Sequence, residues 1–421
     1  MKKISRKQFL SLAGMSALTL GLAACGSSGG SSAANAGSTA AASGAASGSG
    51  FEHKKIAIAW NGANDDVVQT KAHFDGEIGE LLNLEFVHSE PISDAGALTT
   101  FIENSYASGC DAVLTNVSNA IDQAAAVCND LGLYFVGISS SNAAENQDLP
   151  CYVSVCGASA EGYGDSYAEA LTSVVGDGAE HSILILSGAA CYGATSFIEG
   201  TVGSLRALED VYGLTYNEDL NALATSSVQV EAENDKGVRI TIMPGMEDLA
   251  NMVSPLLQTG DYDVVVGTTD IYGSLSIAIN EVEEALGKNI NIISRNTFSE
   301  MVGTAFNSQD STGHPALNAI VCTGLYEFLA GIIVLRNALD GYVEQMRSED
   351  GTCSRVPGMR PTVITSAEEY NVLSGDDLPY AFITEDEILS VCSLLHPEIT
   401  YADIDALGAK QTTDYLMTKF A

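Results

Sequence analysis

The chain has 421 residues, 46% of them apolar, enough to bury two sizeable cores. Its 54 acidic against 18 basic residues leave a formal net charge of −36, and the first 24 residues, which carry basic side chains only, make the remainder more acidic still. That balance excludes the basic patch on which nucleic-acid binding depends.

Met1–Leu22 reads as a targeting segment. Lys2, Lys3, Arg6 and Lys7 form a basic start, and Leu10–Leu22 is an apolar run of 13 residues, short of the about 20 that span a bilayer. The run ends in Leu22-Ala23-Ala24-Cys25, which resembles the lipobox of bacterial lipoproteins. That resemblance implies a signal peptide over 1–24 and a lipidated Cys25 as the new N-terminus. Residues 26–50 are Gly, Ser and Ala apart from Asn35 and Thr39, the composition of a flexible tether. The expected layout is an extracytoplasmic body held at the bacterial cell membrane through Cys25. The other eight of the nine cysteines form no Cys-x-x-Cys pair and no zinc-ligand spacing. They read as small buried hydrophobes, with their disulfide state left open.

From Lys54 the pattern alternates. Strands are predicted at Lys55–Ala59, Leu84–His88, Ala112–Leu114, Tyr134–Ile138 and Tyr152–Val155, with helices Asp65–Leu82, Asp94–Ser108 and Ala120–Asp130 between them. The same alternation then restarts. Helices Ser159–Val175, Thr195–Tyr212, Glu247–Gln258 and Ile271–Leu286 separate strands Ser182–Leu186, Val238–Met243, Val264–Val266 and Ile290–Ser294. Beyond Ser311 the spacing predicts a strand over Ala319–Thr323 and a helix over Leu325–Leu339. It then predicts a loop over Ser348–Arg360, a short strand over Pro361–Thr365 and helices over Glu385–Leu395 and Tyr401–Phe420. The fold class is α/β: two doubly wound, Rossmann-like blocks with parallel sheets.

Two stretches look alike. Gly109–Ser139 and Gly260–Ser294 each read as strand, small polar loop, helix and strand, a βαβ unit. Ligands of open α/β sheets bind outside the carboxyl ends of the strands. The loops Thr115–Ser118 and Thr268–Asp270 lie at such ends and are expected to face one cleft.

In its order of features the sequence from about Lys54 to Thr365 resembles the type I periplasmic solute-binding proteins, in their sugar-binding branch serving ABC importers. The features are the lipobox and tether, the first strand ending in Trp60-Asn61, the Gly109–Ser118 unit, Ser182–Gly188, and Thr269-Asp270 before a small-residue helix. The resemblance implies two lobes joined by three crossings, a hinge that closes on ligand, and a closed form that docks on ABC permease subunits. It places lobe one at 54–156 plus 315–345 and lobe two at 157–314 plus 346–370. Gly157–Ala160 and Ser311–Pro315 become hinge strands, and 371–421 becomes a C-terminal helical extension without an assigned role.

The resemblance also implies a site. Trp60, Asn61 and Asn64 stand in the loop after the first strand, and Asn116 stands where the family has asparagine. Ser139 and Ser140 stand where sugar binders usually place Asp-Arg or Asp-Ser, Thr269-Asp270 where they place Asn-Asp, and Asn296 where they place Asp. An arginine often stands near Gly200 in that branch; here Tyr192, Phe197 and Glu199 are the neighbours. The only tryptophan, Trp60, suits stacking on a sugar or a base, or capping of the sheet from inside the core. Asn61 and Asn116 donate and accept at once, which suits hydroxyls. Asp270 serves a ligand or caps a helix, and Arg295 pairs with an acidic neighbour.

The folded body has no Gly-x-Ser-x-Gly elbow, no Gly-x-x-x-x-Gly-Lys loop and no His-Glu-x-x-His pair. No enzyme activity, metal or cofactor is implied. The expectation is a monomeric binding protein for a small polar solute, a sugar. A nucleoside-binding lipoprotein and a receptor for a sensor partner share the same layout and stay open.

Overall fold

A computed structural model describes residues 50–421 apart from 64, 139–144, 177–180, 194, 246–247, 323–325, 359 and 376. The signal peptide, Cys25 and the tether as far as residue 49, together with Asn64 and Ser139, therefore lie outside the described residues.

Short apolar runs become strands buried along their length. Ala112–Thr115, Ile183–Leu186 and Val264–Gly267 are buried at every residue, as strands covered on both faces must be. The first half of the chain runs β1 (Lys54–Ala59), α1 (Asp65–His73), β2 (Leu84–His88), α2 (Ala95–Ala107), β3 (Ala112–Thr115), α3 (Ile121–Leu131), β4 (Tyr134–Ile138) and β5 (Tyr152–Cys156). The second runs α4 (Ala160–Val175), β6 (Ile183–Leu186), α5 (Thr195–Tyr212), β7 (Val230–Glu231), β8 (Ile240–Met243), α6 (Leu249–Leu257), β9 (Val264–Gly267), α7 (Tyr272–Leu286), β10 (Asn291–Asn296), α8 (Glu300–Phe306) and β11 (Ala319–Cys322). Then follow α9 (Tyr326–Asn337), β12 (Ser354–Val356), β13 (Thr362–Ile364), α10 (Ala367–Leu373), α11 (Glu385–Ser390), α12 (Tyr401–Ala409) and α13 (Thr413–Phe420). Helix starts carry side-chain caps: Asp94 accepts from Ala97 N–H, Ser159 from Gly162 N–H and Ser299 from Val302 N–H.

Two sheets result. The first has the order β12-β5-β4-β3-β1-β2 and the second β13-β11-β10-β9-β6-β8-β7. The first is parallel throughout. In the second, β13 and β7 run antiparallel at the two edges. In each sheet the two similar stretches occupy the same place: β3 lies between β1 and β4, and β9 between β6 and β10. Alternate strand residues feed opposite faces. Ile56, Ile58 and Leu114 join one core and Ala57, Ala59 and Val113 another. Leu184 and Val265 likewise part from Ile183 and Val264.

The chain passes between the lobes three times before the C-terminal extension, from β5 to α4, from β11 to α9 and from β12 to β13. The lobe boundaries expected from sequence need correction. β11 belongs to the second sheet, where Ile293 pairs with Ala319, and β12 belongs to the first, where Ser354 pairs with Ser154. Residues 311–315 are no hinge. Asp310 Oδ1 accepts from Thr312 N–H and His314 N–H, and Ser311 N–H donates to Asn280 on α7, so the stretch is a turn within the second lobe. A fully apolar strand fits either sheet, and only its long-range pairing selects one. The loop expected over 348–360 contains β12, three residues too few to show a period. The helix expected over 401–420 is broken, with Thr412 capping its second part.

The helices α4 and α5 cross at glycine. A methyl group on Gly203 would stand 2.5 Å from Tyr163 Cβ and 2.8 Å from the Ala160 carbonyl oxygen. In an open helix Gly→Ala stabilises by about 1 kcal/mol. Here Gly203→Ala is expected to destabilise by about 1–3 kcal/mol through overpacking, read as a fall in the denaturation midpoint. A rise would show that the crossing gives way freely.

Candidate functional site

The loops on the first sheet start side by side, because Ala59 pairs with Thr115. Asn61 and Asn116 follow, and they clasp each other. Asn61 N–H donates to Asn116 Oδ1 at 2.8 Å, and Asn116 Nδ2 donates to Asn61 Oδ1 at 3.0 Å. Thr115 Oγ1 tightens the turn by donating to the Ala59 carbonyl and accepting from Val117 N–H. Asn61 is exposed and Asn116 half-buried. The clasp leaves the Asn61 amide NH2 and one Asn116 N–H as donors on a fixed frame.

Trp60 does not offer a stacking face. It is fully buried, its ring 5.2 Å from that of Phe328 on α9. Its indole N–H donates to His88 Nδ1 at 3.1 Å, and His88 Nε2 lies 3.1 Å from Asp75 Oδ1. Of the two readings open from sequence, the structure selects the core tryptophan. A large ring at a sheet end is buried as soon as a helix covers that end, and α9 comes from nearly 270 residues further on.

On the second sheet, Leu186 and Ser294 both pair with Gly267, so three loops leave together. Thr268 is buried and organises them: it accepts from Gly188 N–H and lies 3.1 Å from the Thr201 hydroxyl, which in turn meets Ser187 at 2.8 Å. Thr269 is half-buried and Asp270 exposed. Asp270 Oδ1 accepts from Gly273 N–H at 3.3 Å, so it caps α7. Asn296 is buried, and its Oδ1 has no hydrogen-bond partner among the described residues. Tyr192 ends the short helix Ala189–Tyr192, and its side chain lies outside what is described.

Arg295 was expected to pair with a carboxylate. Its guanidinium instead lies 5.0 Å from the ring of Tyr163 and 5.0 Å from that of Phe197, and Nη1 donates to the Ser196 carbonyl at 3.2 Å. Added bulk at Gly200 would meet this Nη1 at 3.5 Å. The guanidinium therefore lies beside the helix position where the sugar-binding branch often has its arginine, but it comes from β10. Burial raises the Tyr163 phenol to about 12; Arg295 opposes this, and the carboxylates of Glu327 and Glu199 add to it. Glu327 stands in the first turn of α9 on the first lobe, so groups of both lobes act on one phenol. Sequence reasoning missed Glu327 because nothing local marks one glutamate among so many acidic residues. Among the described residues, no group of three His, Cys, Asp or Glu side chains is placed to hold a metal.

No family model matches the sequence, and no curated protein matches it. Solved structures do. An ABC transporter periplasmic solute-binding protein from Actinobacillus succinogenes with bound D-allose matches with a TM-score of 0.51 at 13% identity, over 76% of this chain and 99% of that one. A solute-binding protein from Bacillus halodurans with bound myo-inositol gives 0.51 at 14%, over 77% and 98%. A sugar ABC transport substrate-binding protein from Bordetella parapertussis gives 0.52 at 13%, over 79% and 93%. The fold is that of the type I periplasmic binding proteins. About a quarter of this chain has no counterpart in the first two of these structures. In such a two-lobed fold the strand ends carrying the Asn61–Asn116 clasp and the Arg295–Asn296 pair are where a ligand crevice forms. No hydrogen bond between described residues joins the two sets directly. Among the described residues no helix is long and apolar enough to cross a membrane.

The Trp60–His88 contact gives a pH readout. Burial lowers the pKa of His88 from the ordinary 6.5, Asp75 opposes, and Lys71 assists. The neutral imidazole accepts the indole N–H, so the folded state binds its proton later than the unfolded state. Stability therefore falls as pH drops from 6.5 through the lower folded value. Fluorescence of the only tryptophan is expected to titrate with a midpoint below 6.5. The His88→Gln protein should stay flat across about pH 5–7. A flat profile in the unsubstituted protein would contradict the hydrogen bond.

Proposed function

We propose that this chain is an extracytoplasmic binding protein, anchored by a lipid on Cys25, that captures a sugar between its lobes and delivers it to an ABC-type permease. It acts as a monomer and without catalysis. The observation that carries the reading is Arg295. Its guanidinium is fixed by two rings and a carbonyl, makes no ion pair among the described residues, and sits at the carboxyl end of β10. Its remaining N–H groups are donors in a rigid fork. With the clasped Asn61 and Asn116, the unpartnered Asn296 Oδ1 and the second oxygen of Asp270, the strand ends offer mixed donors and acceptors. Such a set suits a neutral polyol better than an ion. D-Allose and myo-inositol, named with two of the structural neighbours, are of that class. Burial of Trp60 removes the ring on which the nucleoside alternative rested.

The test is a melting-temperature screen against D-allose, myo-inositol, other sugars, nucleosides and amino acids. A ligand at 100 times its Kd stabilises by about 2.7 kcal/mol, a rise of roughly 5–10 °C for lobes of this size. Sugars or polyols are expected to give it. Arg295→Ala is expected to weaken the same ligand by about 10–100-fold through loss of charged hydrogen bonds, and Asn116→Ala by less. A rise with nucleosides or amino acids alone would exclude the sugar reading. Normal binding by a folded Arg295→Ala protein would move the site elsewhere.

A further inference from the structure

Residues 367–421 reach both lobes. α10 packs on α8 and α13, and α13 packs on β13, all in the second lobe. Between them, Tyr380, Ile383, Ile388, Ile404 and Leu407 enter the first lobe's core. The extension thus crosses between lobes twice more than the hinge does.

The crossing at Tyr380–Ile383 is built like a rivet. The Tyr380 ring meets Phe74 at 5.3 Å and His73 at 5.1 Å, and its hydroxyl donates to Thr70 Oγ1 at 3.1 Å. Phe382 turns the other way, its ring 5.9 Å from Phe298 and 6.3 Å from Phe420. This reversal takes two successive non-glycine residues, Ala381 and Phe382, into the left-handed region, at φ 54° and 62°. Such backbone persists only where its surroundings hold it.

Both ends of the rivet touch the elements that carry the candidate site. Phe298 stands two residues past Asn296, and Tyr370, also in the extension, donates its hydroxyl to the Ser299 carbonyl. On the first lobe, ring contacts run from Tyr380 through Phe74, Phe86 and His88 to Trp60, the residue before Asn61. A polar clasp lies beside the rivet. Lys419 Nζ on α13 donates to the Phe382 carbonyl at 2.8 Å and to Glu387 Oε2 at 2.6 Å on α11, and Tyr415 OH donates to Glu387 Oε1 at 3.2 Å.

We propose that residues 367–421 form an interlobe strap that sets how far the lobes open, holding the loop after β10 through Phe382 and the first lobe through Tyr380. α11 and α12 are anchored in one core and α13 in the other. Rotation of the lobes therefore has to work against the Phe382–Phe298 and Lys419–Glu387 contacts. The strap is independent of what the site binds.

The test uses the purified protein without ligand, with Phe382→Ala, Lys419→Met and, as a control, Ala381→Gly, which eases the backbone and keeps the ring. Small-angle scattering and amide exchange are measured on each. Phe382→Ala and Lys419→Met are expected to raise the radius of gyration. They should also speed exchange at residues 297–299 by about tenfold or more, since strap opening gates those amides. Ala381→Gly is expected to keep the unsubstituted profile. Scattering curves that superimpose for all folded variants, with faster exchange confined to the substituted segment, would overturn the strap. Expansion in Ala381→Gly equal to that in Phe382→Ala would overturn the role of the ring contact.

Discussion

A parallel sheet has to be covered by helices on both faces, and this chain meets that requirement twice. Each sheet separates two cores, and almost every central strand residue is committed to one or the other. The strand ends are then the places where a sheet's own residues can meet solvent and carry polar groups. Asn61, Asn116, Asp270 and Asn296 all stand at carboxyl ends, where the chain leaves the sheet for a helix. The location of the site follows from how the sheets are buried.

Within that frame, pairing decides which polar groups are held and which are offered. The reciprocal hydrogen bonds between Asn61 and Asn116 fix two loops that belong to different βα units. Thr268 does the same for the loops after β6 and β9. Arg295 is held by different means. In a chain with three acidic residues for each basic one, an exposed guanidinium would be expected to find a carboxylate. Tyr163 and Phe197 cover its faces instead, an arrangement worth about 0.5–2 kcal/mol per ring. The flat faces are occupied and the edge donors remain.

The C-terminal extension belongs to the same packing. Its helices are short, and none would be stable alone. They exist because Ile388, Ile404 and Leu416 complete cores begun some 300 residues earlier. A segment that completes both cores couples the two lobes mechanically. The left-handed backbone at Ala381 and Phe382 is the local cost of reaching both.

The sequence by itself determined the alternation of strands and helices, the restart after Tyr152–Cys156 and the strand-end loops that carry the site. Those are local patterns: buried runs of four or five apolar residues, amphipathic helices and their caps recur within a few residues of each other. Only the tertiary structure decided that β11 pairs with β10 and β12 with β5, because an apolar strand is acceptable to either sheet. It also decided that Trp60 lies beneath Phe328, that Arg295 lies between two rings, and that Glu327 comes from the other lobe to the same phenol. In each case the deciding partner is distant in sequence, from about 100 residues to nearly 270. Burial and pairing at that range depend on how whole lobes pack, and no local spacing encodes them.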